Sequence, residues 1–266
     1  MECDQPTALY KYMDISCHRI ERVECMLRDN KVWFASPLTF NDPFDCRCFF
    51  DVRNTREEIV SRKARFLIER KGYSQSDALA EAESEIPSDE DAVERWQTEQ
   101  IEANSRRTAN SGMLCLTPIC DNFLMWTHYA GYHRGICIRF CARDVHAEAH
   151  LDFIGTAQAV EYVDHCPRIN FVRDDSVDIV RKAFFNKANR FHYEREWRIV
   201  YYDKGEGLKP IPEGIIDAVI LGCQIDPTDA ERVINACTAY NGDVEIVRSK
   251  LDPESYSLSM ELEKTV

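Results

Sequence analysis

The sequence predicts an α+β fold built on a mixed, mostly antiparallel sheet and interrupted by a helical insertion. Three observations predict it. Short runs rich in β-branched and aromatic residues recur along the chain, among them Val32-Trp33-Phe34-Ala35-Ser36, Gly135-Ile136-Cys137-Ile138-Arg139-Phe140 and Trp197 to Tyr202, which is strand composition. These runs do not alternate regularly with helices, so repeating βαβ units are not the pattern. Between residues 55 and 110 the texture changes to Glu, Arg, Ala and Ser with almost no strand formers, the composition of two or three helices.

In chain order, Leu9-Tyr10-Lys11-Tyr12 is a first strand. Ile20, Val23 and Leu27 then fall at helical spacing. Val32 to Ser36 is a second strand stopped by Pro37, and Asn41-Asp42-Pro43 is turn chemistry that flanking Phe40 and Phe44 would staple to a core. Thr55-Arg56-Glu57-Glu58 is a capped helix start, with Ser76 and Ser88 as further caps and Gly72 and Pro87 as breaks. Met113 to Thr117 is a strand, and Asp121 caps a helix carrying Trp126, His128 and Tyr129. That helix is a core plug or a pocket wall, with a buried His128 as the simpler case. Gln158 to Val163 is a strand, Val177 to Ala188 a helix and Gly214 to Leu221 a strand. Thr228 or Asp229 caps a helix to Ala239, followed by strands at Val244 to Val247 and Tyr256 to Leu262.

At 266 residues the chain reads as a single domain spanning 1–266, with 55–110 as an insertion that could act as a lid or a partner-binding surface. Runs such as Ala218 to Leu221 are too short to span a bilayer. Met1-Glu2-Cys3-Asp4 has neither the basic nor the apolar part of a secretory signal. A cytoplasmic protein without a membrane anchor is therefore expected. Of the 12 cysteines, none forms Cys-x-x-Cys; the closest spacing is Cys46-x-Cys48, so no metal site is expected. Cys115, Cys137 and Cys223 read as small core residues. The formal net charge of −13 disfavours non-specific nucleic-acid binding, although Arg19, Arg22, Arg28, Arg181, Lys182 and Arg190 could form a local basic groove.

The most unusual stretch runs from Phe191 to Tyr202. Glu194 and Glu196 stand two apart where a strand begins, so they would share one face, which Arg198 continues. Trp197, Ile199 and Tyr201 would face a core. Paired carboxylates repel. They are either a solvated strand end with Arg195 and Arg198 as counter-ions, or they do chemistry. A carboxylate beside a sugar carbon stabilises the positive charge that develops as a leaving group departs.

Four segments together resemble a bacterial family of unknown function, DUF2971: Leu9 to Tyr12; Leu38-Thr39-Phe40-Asn41-Asp42-Pro43-Phe44-Asp45; Met125 to Ala130 with Gly135 to Phe140; and Tyr193-Glu194-Arg195-Glu196-Trp197-Arg198. The segments span nearly the whole chain outside the insertion. A more distant resemblance is to the ADP-ribosyltransferase superfamily, whose domains carry His or Arg on a first strand, Tyr or Ser on a second, and Glu-x-Glu entering a late one. It implies a split sheet of that type and an enzyme that consumes NAD, by transfer of ADP-ribose to a macromolecular acceptor or by hydrolysis, in a bacterial toxin or antiphage-defence setting. Glu196 would hold the nicotinamide-ribose hydroxyl and Glu194 would orient the acceptor. Lys11 would hold the ribose or a phosphate. Ser36, with Tyr12 and Trp126 as aromatic walls, would pin the nicotinamide, and Asn41 and Asp42 would shape the rim. Tyr10, His128, Tyr129 and Arg198 complete the NAD-binding set. Lys11 stands where the superfamily has His or Arg. That departure motivates a second expectation, a non-catalytic nucleotide sensor or partner-binding module. A third is a metal-dependent hydrolase or nuclease using Asp42, Asp45, Glu196 and His128.

Overall fold

A computed structural model describes residues 6–47, 49–51, 53–141, 148–202, 204–240 and 242–266. The expectations on Met1–Asp4 and Cys48 lie outside these. The described elements begin with β1 (Ala8–Met13), α1 (Ile20–Asp29), β2 (Lys31–Phe34), β3 (Phe49–Phe50), α2 (Arg56–Lys71), α3 (Gln75–Glu85) and α4 (Glu90–Ala109). There follow β4 (Gly112–Leu116), α5 (Phe123–Tyr129), β5 (Ile136–Cys141), α6 (Glu148–Gly155), β6 (Gln158–Ala159), β7 (Glu161–Val163), β8 (Arg168–Ile169), α7 (Ser176–Phe184) and β9 (Asn186–Ala188). The chain closes with β10 (Trp197–Tyr201), β11 (Gly207–Pro210), β12 (Ile216–Leu221), α8 (Pro227–Thr238), β13 (Glu245–Leu251) and β14 (Leu258–Thr265). The chain divides into two compact units, one of Met1–Ser36, Gly112–Val160 and Arg190–Val266, the other of Pro37–Ser111 and Glu161–Asn189.

In the first unit a five-stranded sheet runs β1-β5-β12-β13-β14. Its pairs are antiparallel except β12 with β13, which are parallel and joined by α8; parallel neighbours need such a crossover. A second sheet runs β4-β10-β6 and a third pairs β11 with β2, both antiparallel. Single bridges, Tyr10 with Thr117 and Ala35 with Met113, tie β1 and β2 to the flank of β4. The mixed, mostly antiparallel α+β expectation is therefore met.

Apolar residues fill the space that α1 and α8 cover: Ile20, Val23 and Leu27 from α1, Val233 and Cys237 from α8, and Leu114, Ile138, Ile199 and Val219 from the strands. A smaller core on the other face of β1 and β5 joins Tyr12, Cys137 and Ile220 to Trp126 of α5. Burial raises the Cys137 thiol well above its ordinary value and pushes the Cys237 thiol up to about 12. Both thiols stay protonated in the fold and ionise near pH 9 when unfolded. Their contribution is whole below pH 9 and is lost as pH rises above it. Each costs about 1.4 kcal/mol per pH unit once fully ionised in the unfolded chain. Urea unfolding followed at pH 8.5 and 10.5 is expected to show this loss, reduced in Cys237→Ala.

The second unit contains three helices over 55–110, where two or three were expected. Thr55 caps α2 in a capping box with Glu58, and Gly72 ends it in the left-handed region at φ 71°. The other caps are Ser74 and Asp89, not Ser76 and Ser88. A cap must itself be extended so that its oxygen can reach back to the amides of the first turn; Ser74 is extended at ψ 160°, whereas Ser76 already lies within α3. Two caps in the first unit also move, from Asp121 to Asn122 and from Thr228 or Asp229, which lie within α8, to Asp226. Arg56 ties α2 to the end of α3, donating to the carbonyls of Glu83, Ile86 and Pro87 at 2.8–3.2 Å. Ile59, Leu67, Ala78, Ala82 and Val93 form the core beneath.

Three further expectations are corrected. The helix after Val177 stops at Phe184, and Asn186–Ala188 is the strand β9. The strand expected at 158–163 breaks at Val160 into β6 and β7, which belong to different units. Phe44 is 59% exposed and staples nothing, because Asp42 Oδ1 already closes the turn by accepting the Phe44 amide at 2.9 Å.

Candidate functional site

The two glutamates do not share a strand face. Glu194 ends a short 3-10 turn, Arg195 sits in the left-handed region at φ 46°, and β10 starts only at Trp197. A non-glycine residue there is uncommon and is held by its surroundings. The kink sends Arg195 to solvent while both carboxylates turn inward, Glu194 2% and Glu196 5% exposed. Two side chains from the distant β4–α5 connection fix the turn. Thr117 Oγ1 donates to the Glu194 carbonyl at 2.7 Å and Asn122 Nδ2 to the Tyr193 carbonyl at 3.0 Å.

Each carboxylate has its own donor. Tyr129 OH donates to Glu194 Oε1 at 2.6 Å. Arg198, fully buried, forks onto Glu196, Nε to Oε1 at 2.7 Å and Nη2 to Oε2 at 3.0 Å. Such a bidentate bond is charge-assisted and geometrically strict. Lys11 Nζ reaches the Cys115 carbonyl at 3.4 Å. Burial pushes the lysine below its ordinary value, opposed by the Cys115 thiol and by the Glu196 charge. Burial, then the same Glu196 charge, raises the Cys115 thiol, which is within hydrogen-bonding reach of that carboxylate. Lys11, Cys115, Glu196 and Arg198 thus form one cluster where β1, β4 and β10 meet, with Glu196 and Arg198 buried and Lys11 and Cys115 partly exposed. The reading of the glutamates as a solvated strand end is corrected: both are buried, and the counter-ion is Arg198 rather than Arg195.

The other expected site residues lie as follows. Tyr12 OH donates to the Ile119 carbonyl at 3.1 Å, and its ring meets Trp126 edge-on at 5.3 Å. Trp126 is fully buried and its indole donates to the Cys120 carbonyl at 2.8 Å. His128 is exposed, which corrects the expectation of burial. Met125 and Trp126 occupy the core face of α5, and a residue two further on points away. His133 is the buried histidine, its Nε2 at 3.1 Å from Thr127 Oγ1. Ser36 is buried; it follows the Ala35–Met113 bridge. The antiparallel register carries it toward Gly112, about 10 Å along β4 from Cys115. Asn41 is exposed, and Asp42 lies with Asp45 in the wall of a cavity of about 400 Å³ in the second unit. Asp45 is itself buried in an ion pair with Lys187 at 3.5 Å.

One polar group was not foreseen. Arg139 on β5 bonds Asp217 through Nε at 2.6 Å and Nη2 at 3.1 Å, and Glu245 on β13 at 2.9 Å. It also reaches the phenol of Tyr10, its partner across the β1–β5 ladder. A bulge in β12 at Asp217 turns that carboxylate toward the arginine. The available signal was a single acid inside the apolar run Ile215-Ile216-Asp217-Ala218-Val219. Of the cations that could have formed a groove, Arg19, Arg28, Arg181 and Lys182 instead pair with Asp14, Asp29, Asp178 and Asp174. No three His, Cys, Asp or Glu side chains are grouped to hold a metal among the described residues. No helix among them is long and apolar enough to cross a membrane.

Most of this arrangement of β10, α5 and β5 falls in one region that resembles a known family. Residues 125–199 match the model of a family described as a protein of unknown function, DUF2971, which supports the resemblance over that stretch. The match takes in Trp126, Tyr129, Arg139, Glu194, Glu196 and Arg198, and leaves out the segments at Leu9–Tyr12 and Leu38–Asp45. Comparison with curated proteins and with solved structures gives no match.

Proposed function

We propose that the protein is an ADP-ribosyltransferase-like enzyme that breaks the nicotinamide–ribose bond of NAD, passing ADP-ribose to a macromolecular acceptor or to water. One observation carries the reading: Lys11 on the first strand and Glu196 at the entry of the late one, 185 positions apart, share one cluster, and the Glu196 charge acts on the lysine. The superfamily resemblance requires a cation and a glutamate from those two strands to meet. The finer fold assignment, a split sheet of that superfamily's type, belongs to the same proposal. It draws support from the two sheets that join at the flank of β4.

In this reading the bond from ribose C1′ to the nicotinamide nitrogen breaks and its electron pair leaves with nicotinamide. Glu196 accepts a hydrogen bond from the ribose 2′-hydroxyl and stabilises the oxocarbenium-like centre. Lys11 faces a phosphate or the ribose. Glu194, held by Tyr129, takes the proton of the attacking hydroxyl as it adds to C1′. Such an activity, depleting NAD or modifying a target, would suit a toxin or an antiphage effector.

Nicotinamide release from NAD tests the proposal. We expect turnover by the native protein and a loss of at least about 100-fold in Glu196→Gln, with far-ultraviolet circular dichroism unchanged. Retained turnover in that variant sinks the assignment. One observation favours a second reading, a nucleotide-binding module without chemistry: the Arg198 fork already occupies Glu196. NAD binding without nicotinamide release selects that reading.

A further inference from the structure

The second unit holds a cavity of about 350 Å³ that the proposed chemistry does not use. Its volume lies in the range of small-molecule sites, roughly 300–1,000 Å³. Three aromatic side chains line it: Phe66 from α2, Trp96 from α4, and Phe171. Phe171 is fixed by a stack on Phe50 at 5.2 Å between ring centres, and Trp96 packs on the helical core. Two amides stand in the same wall. Asn54 Nδ2 donates to Gln97 Oε1 at 3.1 Å. Asn54 Oδ1 is buried without a hydrogen-bond partner, and Gln97, 8% exposed, donates its Nε2 to no described residue. Arg62 also lines the cavity and pairs with no described residue, although the chain carries a net charge of −13.

These three features describe one kind of ligand. Aromatic walls take a planar ring by stacking. Two amides in one wall, with an acceptor and a donor that no described residue satisfies, complement the adenine edge, where the amino group donates and the neighbouring ring nitrogen accepts. A guanidinium without a carboxylate partner takes a phosphate. We infer that this cavity binds an adenine nucleotide, for which AMP is the smallest probe carrying all three groups. The inference stands apart from the NAD reading, because it rests on other residues in the other unit.

Saturation-transfer NMR on the full chain, titrated with AMP, adenosine and IMP, tests it. AMP is expected to saturate. IMP presents an acceptor where adenine presents a donor and should bind at least about tenfold more weakly, since a mismatched hydrogen-bonding site rejects its ligand strongly. Adenosine should bind at least about fivefold more weakly for want of the phosphate. Phe66→Ala should weaken AMP at least about fivefold by loss of stacking; the ring is 43% exposed, so its removal spares the fold. Glu196→Gln should leave AMP binding as it was. No saturation by millimolar AMP, equal binding of IMP, or AMP binding that survives Phe66→Ala but fails in Glu196→Gln overturns the site.

Discussion

Arg198→Met lowers the unfolding free energy of the first unit by about 3–5 kcal/mol, the range for breaking a buried ion pair from one side. The arginine has no solvent exposure, and Glu196 beside it is 5% exposed. Removing the guanidinium therefore leaves a buried carboxylate without its bidentate counter-ion. In a chain of this size the midpoint of thermal unfolding should fall by roughly 6–20 °C. The double variant Glu196→Leu with Arg198→Met should recover much of the loss, because an apolar pair of similar volume carries no unpaired charge. A loss below about 1 kcal/mol in the single variant, measured by urea unfolding, would mean that the fork contributes little.

Trp126→Ala is expected to cost about 3–5 kcal/mol through the void it leaves. The indole is fully buried, meets Tyr12 edge-on, and donates its only hydrogen to the Cys120 carbonyl. It packs with Tyr12 of β1 and Cys137 of β5 on one side and faces His133 of the loop after α5 on the other. That loop is itself constrained: Gly131, Tyr132 and His133 are all left-handed, at φ 55°, 56° and 67°. Gly222 packs so closely on it that a Cβ there would lie 2.2 Å from the His133 carbonyl. Trp126→Phe should return at least half of the lost stability by refilling most of the space. Equal midpoints for the alanine variant and the native protein would show that the smaller core is dispensable.

Most strands were legible because their residues carry the signal locally. β-Branched and aromatic runs ended by Pro37 or Gly222 needed no tertiary information. The helices at 55–110 announced themselves through composition and through the Thr55 capping box. What could not be read depended on a single backbone torsion or a distant partner. Glu194 and Glu196 look like neighbours on a strand until Arg195 turns left-handed, a conformation its side chain does not advertise. Arg139 looks like a solvent-facing strand residue until the bulge at Asp217 brings in a carboxylate 78 positions away. His128 turns outward because Met125 and Trp126 take the core face of α5, while His133 is buried by the left-handed turn that follows the helix. Asn54, Gln97 and Arg62 carry no motif at all. Only the packing of α2 against α4 sets them around one hollow.

The claim that the Lys11–Glu196 cluster receives NAD is tested most directly by calorimetric titration with carba-NAD, in which a methylene replaces the ring oxygen of the nicotinamide ribose and cleavage is blocked. The account predicts saturable binding by the native protein, weakened about tenfold or more in Lys11→Met. An absence of binding, or binding indifferent to the loss of that ammonium, would contradict it.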